Sequence, residues 1–253
     1  GGSGHVHDYT YRTDTVYPTC INAGYTEHFC ACGESYRDGY IPALGHDYVN
    51  GVCSRCGNTE GSCDGGANCP SKPYHDVDTG RWYHEGIDYA IAHGLMNGVG
   101  RDYFAPNATL DRATLATVLY REAGEPAAKG MASFTDIAEG QWYTDAVNWA
   151  AEQGVVNGYP DGTFRPEAPI TRQEMATMLY RYWKLQGGKY TAKDDVLAGY
   201  QDRGEVADWA LEAMSWTVQS GIIVGMTPTT LNPADGATRA QVALVLVNYL
   251  KLN

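Results

Sequence analysis

Three arginines and a cluster of cysteines are the residues whose company and spacing could do chemistry. Arg112, Arg172 and Arg239 stand at equivalent places in "LDRATL", "ITRQEM" and "ATRAQV", each where the pattern predicts a helix start. A guanidinium offers five donors in a fixed fork, and a helix N-terminus offers orphan N–H groups, so together they suit an anion. All seven cysteines lie between Cys20 and Cys69, and the following 184 residues have none. "FCACGESY" and "GVCSRCGN" each hold two thiols one or two residues apart, followed by glycine. Such pairs suit a shared metal ion or, outside the cell, disulfides.

The elements that must position the arginines recur. "HDVDTGRWYHEGIDYAIAHGLMNGVGRDYFAPNATLDRATLATVLYR" aligns with "TDIAEGQWYTDAVNWAAEQGVVNGYPDGTFRPEAPITRQEMATMLYR", and a third copy begins "QDRGEVADWALEAMSWTVQ". Trp82, Trp142 and Trp209 each precede a glycine (Gly94, Gly154, Gly221) by twelve positions. Those glycines precede Phe104, Phe164 and Leu231 by ten, and Pro106, Pro166 and Pro233 precede the arginines by six. Three spacings kept in three copies predict a repeat of about sixty residues, each built as helix, loop, helix.

In the first helix the apolar positions fall at offsets 0, 5, 8 and 9 from the tryptophan, as in Trp142, Val147, Ala150 and Ala151. That is a one-sided stripe, so packing is the expected main role of each tryptophan. Gly94, Gly154 and Gly221 suit the left-handed position that ends a helix. Turn-rich loops follow, with Gly98, Gly158 and Gly225 in equivalent places. The second helix opens on a cap: Thr171 with Glu174, Thr238 with Gln241, and Asp111 with Thr114. "LATVLY", "MATMLY" and "VALVLV" then predict buried helices.

Capping leaves the arginines unexplained. A cation at the first helical position faces the positive end of the dipole, a mildly unfavourable place held in three copies. It could form a salt bridge to a neighbouring repeat, with Asp76, Asp136 or Asp202 as partner, or present its donors to an anionic ligand.

The copies resemble S-layer homology domains, whose pattern runs from aromatic-x-Asp through Trp and an Asn-Gly loop to Phe-x-Pro and Ile-Thr-Arg-Ala-Glu. "YHDV", "FTDI" and "YQDR" supply the first element here, and the likeness covers roughly residues 74 to 253. The resemblance implies a mainly α, pseudo-threefold module of three helix-loop-helix repeats that attaches non-covalently to Gram-positive cell walls. Its grooves would hold an acidic secondary cell-wall polysaccharide, often one ending in a pyruvylated N-acetylmannosamine. By position Arg112, Arg172 and Arg239 would line the grooves, with Trp82, Trp142, Trp209 and the loops at Gly98, Gly158 and Gly225 as walls. Arg172→Ala is then expected to weaken wall binding with little change in melting temperature. The first copy lacks the Thr and Glu of the motif, and the third has Gln241 for Glu and Leu231 for Phe, so some grooves could be structural only.

The cysteine-rich head resembles the paired knuckles of a zinc ribbon, with a small irregular or β fold expected. Cys30, Cys32, Cys53 and Cys56 would give a closed, structural zinc site of four thiolates. Cys20, Cys30, Cys32 and His46 form a competing set, since "HDY" precedes a cysteine at both His7 and His46. Cys63 and Cys69 flank a Gly-rich loop without a nearby histidine, which favours a disulfide staple there. His75, His84 and His93 recur every nine residues, placing neighbours on opposite helix faces, and are expected at the surface. The expected division is a linker or tag scar at 1–4, the head at 5–60, a linker at 61–73, and repeats at 74–126, 134–187 and 197–253.

A formal charge of -12 argues against nucleic acid, since phosphate binding needs a cationic surface. No apolar run approaches the roughly 20 residues of a membrane span, and none of the nucleophile, metalloprotease or phosphate-loop motifs is present. A carbohydrate-binding wall anchor is the first expectation. A surface protein whose head contacts a protein partner is the second.

Overall fold

The computed structural model describes residues 6–17, 24–42, 69–192, 195–227 and 229–252, together with the backbone of 48–49 and 52–53. The chain folds as two compact units, Gly1–Asp64 and Gly65–Asn253.

In the first unit β1 (Arg12–Val16), β2 (Gly24–Phe29) and β3 (Ser35–Ile41) form an antiparallel sheet in that order. Short strands β4 (Tyr48–Val49) and β5 (Val52–Cys53) pair separately. Cross-strand contacts hold the larger sheet: His28 stacks on Tyr36 at 4.8 Å, and Arg37 pairs with Glu27 at 3.1 Å. β1 and β3 are exposed throughout, and among the described residues of this unit only Gly24 and Cys30 are buried.

The second unit has six α-helices among its described residues: α1 (His84–Ala92), α2 (Arg112–Glu122), α3 (Thr144–Glu152), α4 (Arg172–Leu185), α5 (Leu211–Gln219) and α6 (Arg239–Leu250). Local signals set their ends. Gly94, Gly154 and Gly221 take φ of 66°, 70° and 70°, where a side chain would be strained. Thr171 with Glu174 and Thr238 with Gln241 form complete capping boxes, while Asp111 alone caps α2. Each cap stabilises its helix by about 1 kcal/mol.

Packing joins the repeats in a closed circuit. α3 packs on α2, α5 on α4, and α1 returns to α6. The segments before the second helices do the same: Ile170 N–H donates to Leu110, Ala237 to Ile170, and Leu110 to Ala237, each at 2.9 Å. Inside lies one core holding Leu115, Leu119, Met175, Leu179, Trp216 and Tyr249. At Gly86 an added Cβ would lie 2.9 Å from the Leu244 nitrogen, so α1 sits against α6 closely enough to need glycine.

The aromatic-x-Asp element acquires a physical role. Asp76 accepts from Phe104 and Ala105 N–H at 2.8 and 2.7 Å, and Asp136 does so from Phe164 and Arg165 at 2.8 and 2.6 Å. Asp202 holds Leu231 and Asn232 alike. Ala105, Arg165 and Asn232 have φ of 57°, 58° and 52°, a left-handed backbone that costs about 1–2 kcal/mol. Each carboxylate therefore pins a strained x of the Phe-x-Pro element. The aromatic residue closes the same loop from the other side. A Cβ on Gly98, Gly158 or Gly225 would come within 2.8 Å of the ring of Tyr74, Phe134 or Tyr200.

Candidate functional site

The three arginines are buried, with 6, 4 and 7% of their surface exposed at Arg112, Arg172 and Arg239. Each reaches into the following repeat. Arg112 Nε donates to the Phe164 carbonyl at 2.8 Å, Arg172 Nε to Leu231 at 2.8 Å, and Arg239 Nε to Phe104 at 2.7 Å. A terminal nitrogen of each makes a second bond: Arg112 to Glu174, Arg172 to the Val224 carbonyl, Arg239 to the Asn97 carbonyl. Asp76, Asp136 and Asp202 are thus not their salt-bridge partners. Those carboxylates are committed to backbone N–H groups, and among the described residues only Arg112 of the three meets a carboxylate, Glu174 at 2.8 Å. Burial lowers the pKa of Arg172 and Arg239 below the ordinary arginine value.

The helix mouths are closed to a ligand. The N–H of Arg112, Arg172 and Arg239 donate to Ala168, Asp235 and Ala108, and the next residue's N–H goes to Pro166, Pro233 or Pro106. The third is taken by the capping side chain. At these helix starts the guanidinium nitrogens, not the backbone, are the donors left to meet an anion. Among the described residues, Arg112 Nη2, Arg172 Nη1 and Arg239 Nη1 make no protein hydrogen bond.

The tryptophans are exposed rather than packed: 54% at Trp82, 62% at Trp142 and 56% at Trp209. The helical period does not extend back to them, because α3 begins at Thr144, two residues after Trp142. Their neighbours Tyr83, Tyr143 and Ala210 take the buried position. Trp142 and Trp209 instead help to wall open cavities.

One cavity, of about 220 Å³, joins Gly98 and Val99, Thr117 and Arg121 of α2, Trp142 of the second repeat and Arg239 of the third. Its counterpart, of about 360 Å³, joins Gly158 and Tyr159, Thr177 and Arg181 of α4, Trp209 of the third repeat and Arg112 of the first. Both of these cavities thus draw on all three copies. By sequence position Trp82, Arg172 and Gly225 are the equivalents of these residues in the remaining repeats. Tyr159 lies under Arg112 at 4.7 Å and gives its hydroxyl hydrogen to Glu174. The sequence reading missed Arg121 and Arg181, nine residues after Arg112 and Arg172 and so on a different face from the motif arginine. Arg181 forms no ion pair among the described residues, its pKa is lowered by burial, and Asn157, with its amide turned to satisfy both groups, accepts from it at 3.1 Å.

Glu174 separates the second groove from the others. Burial pushes its pKa up, but hydrogen bonds from Tyr159 and Thr171, with the Arg112 charge, hold it below the ordinary 4.5. A carboxylate depressed by folding adds stability that is full above pH 4.5 and disappears as pH falls through the lower folded value. Glu174→Gln keeps the capping geometry that Gln241 uses in α6. It should lower stability at pH 7 by about 1.5–3 kcal/mol and flatten the acid limb, read from urea midpoints across pH 2–7. An acid limb as steep as the parent's would remove Glu174 from that role.

His84 is a correction. His75 and His93 are exposed as expected, but His84 is 2% exposed. It faces Asp88 at 3.2 Å on α1, and the Cys69 sulfur lies 3.2 Å from it. Asp88 also accepts from Ser71 N–H at 2.9 Å, so the pair ties the segment before the first repeat onto α1. Cys69 is disulfide-bonded, which removes it as a thiolate ligand beside His84 and Asp88. Its expected partner Cys63 lies outside the described residues. So do Cys20, His46 and Cys56, while Cys53 is described as backbone in β5 only.

No helix among the described residues is long and apolar enough to cross a membrane. Three stretches, 73–116, 133–176 and 199–243, match the family described as "S-layer homology domain". The chain is 30% identical over 177 residues to an S-layer protein of Bacillus thuringiensis subsp. finitimus, covering 68% of this chain and 20% of that one. It is 29% identical over 185 residues to a cellulosome-anchoring protein of Acetivibrio thermocellus, covering 70% and 40%. An amylopullulanase of Thermoanaerobacterium thermosulfurigenes is 25% identical over 181 residues, covering 71% of this chain and 10% of that enzyme. The chain spans only a tenth to two fifths of these relatives. The family and its surface relatives place the chain at the cell surface or cell wall. With the matched stretches taking in more than half of its residues, the chain belongs to the S-layer homology family.

Proposed function

We propose that this chain is a non-covalent cell-wall anchor whose three repeats close into a pseudo-threefold module and bind an acidic secondary cell-wall polysaccharide in the grooves between them. One observation carries the reading: an exposed tryptophan from one repeat and a buried arginine from another line the same open cavity. The indole face suits a sugar ring, and an unspent guanidinium nitrogen in a sheltered groove suits a carboxylate such as a pyruvate ketal. Arg121 and Arg181 add a second cation beside each described cavity, which the protein's overall charge of -12 makes all the more local. Anchoring also agrees with the names of the S-layer and cellulosome-anchoring relatives. Catalysis is no part of the reading, since the amylopullulanase shares only a tenth of its length with this chain.

The test is cosedimentation with purified Gram-positive walls before and after the acidic polymer is stripped. Pelleting should vanish on stripped walls. Trp142→Ala with Trp209→Ala should weaken it about tenfold or more while the melting temperature stays within a few degrees, because both side chains are exposed. Equal pelleting on intact and stripped walls would overturn polysaccharide binding. That result would favour the second reading, a protein partner on the head, where Tyr11, Tyr17 and Tyr40 stand exposed.

A further inference from the structure

We infer that His7, Cys30 and Cys32 are three ligands of a thiophilic divalent metal site of the zinc class in the N-terminal unit. His7 Nδ1 lies 3.2 Å from Cys32 Sγ, and the ligand atoms of the three residues all lie within 4.8 Å of one another. Ligands sharing one tetrahedral zinc at about 2.0–2.3 Å stand about 3.3–3.8 Å apart, so a small closure would complete the set.

Two separate pieces of local structure bring these groups together. The reversal between β2 and β3 is a tight turn in which Cys30 N–H donates to Glu34 at 2.8 Å and Gly33 N–H to Cys30 at 2.9 Å. Gly33, at φ 99°, makes that turn without strain and leaves both thiols beside it. The segment before β1 is fixed independently. Asp8 accepts from Thr10 N–H at 3.0 Å, and Tyr9 packs edge-on against Tyr36 of β3 at 4.8 Å. His7, stacked on Tyr9 at 5.6 Å, is thereby carried to the turn.

Chemistry selects the metal class. Two thiolates and an imidazole favour zinc over oxygen-seeking calcium or magnesium. Each thiol gives up its proton on ligation, so binding weakens in acid. The fold supplies a need as well. β1 and β3 are exposed throughout, only Gly24 and Cys30 are buried among the described residues of this unit, and a small sheet that buries so little commonly depends on a metal or disulfides. This set differs from the four-cysteine ribbon in taking a histidine from the first "HDY", with a fourth ligand to come from elsewhere in the chain or from water.

The full chain, reduced and freed of metal by chelation, is titrated with zinc and read by native mass spectrometry. Uptake by the parent should fall by about tenfold or more in both His7→Ala and Cys32→Ser. Both side chains are exposed, so neither change opens a core position. With cobalt in place of zinc, a thiolate-to-metal absorption band should appear in the parent and diminish in Cys32→Ser. Full zinc affinity in both variants would assign the metal to other cysteines and overturn the inference. No uptake by the parent would overturn it too, as would a Cys30–Cys32 disulfide in protein purified without reductant.

Discussion

Arg172→Ala is expected to lower the melting temperature of the helical unit by roughly 10 °C, from a loss of about 3 kcal/mol. The sequence alone suggests the opposite, a binding defect in a stable protein. The difference lies in the Leu231 and Val224 carbonyls, each held by the guanidinium at 2.8 Å. Alanine would leave two acceptors without their donors, at about 1–3 kcal/mol each, and sever a link between the second and third repeats. Relief of the arginine's own burial offsets part of that loss. Lysine at 172 should recover only part of it, since an ammonium lacks the planar fork that spans both carbonyls. Calorimetry of the two variants decides the matter. An Arg172→Ala protein melting within two or three degrees of the parent, yet failing to bind walls, would return the residue to a pure ligand role.

A comparable loss, about 2–3 kcal/mol, is expected for Asp76→Ala, and a second substitution should reverse part of it. Asp76 makes two charged hydrogen bonds, to Phe104 and Ala105 N–H, and Ala105 sits at φ 57°. If the carboxylate holds a strained residue in place, Ala105→Gly should restore about 1 kcal/mol by abolishing the strain. Urea midpoints of the parent, both single variants and the double variant give the coupling directly. Strict additivity would show that carboxylate and strain act separately.

What was legible in the sequence was local. Gly154 at the end of α3, Thr171 with Glu174 at the start of α4 and the apolar run of α6 obey rules spanning four residues or fewer. Partners far along the chain were not legible. The Arg239 bond to Phe104 crosses 135 positions, and no spacing within one repeat announces it. Trp142 was misjudged because a 3.6-residue period was counted from outside the helix. His84 was misjudged because its surroundings come from Cys69 and Ser71, before the repeat begins. For His7 the only signal was the doubled "HDY", which could not say which cysteines it meets.

The shared grooves have a consequence for descent. A crevice with its floor from one copy, its indole from the next and its guanidinium from the third has no single parent segment. Doubling one sixty-residue stretch would complete neither crevice, because each is lined by groups from three copies. Drift in any copy is then felt at a remove: a change at Arg112 is expressed in the crevice floored by the second copy, and one at Arg239 in that of the first.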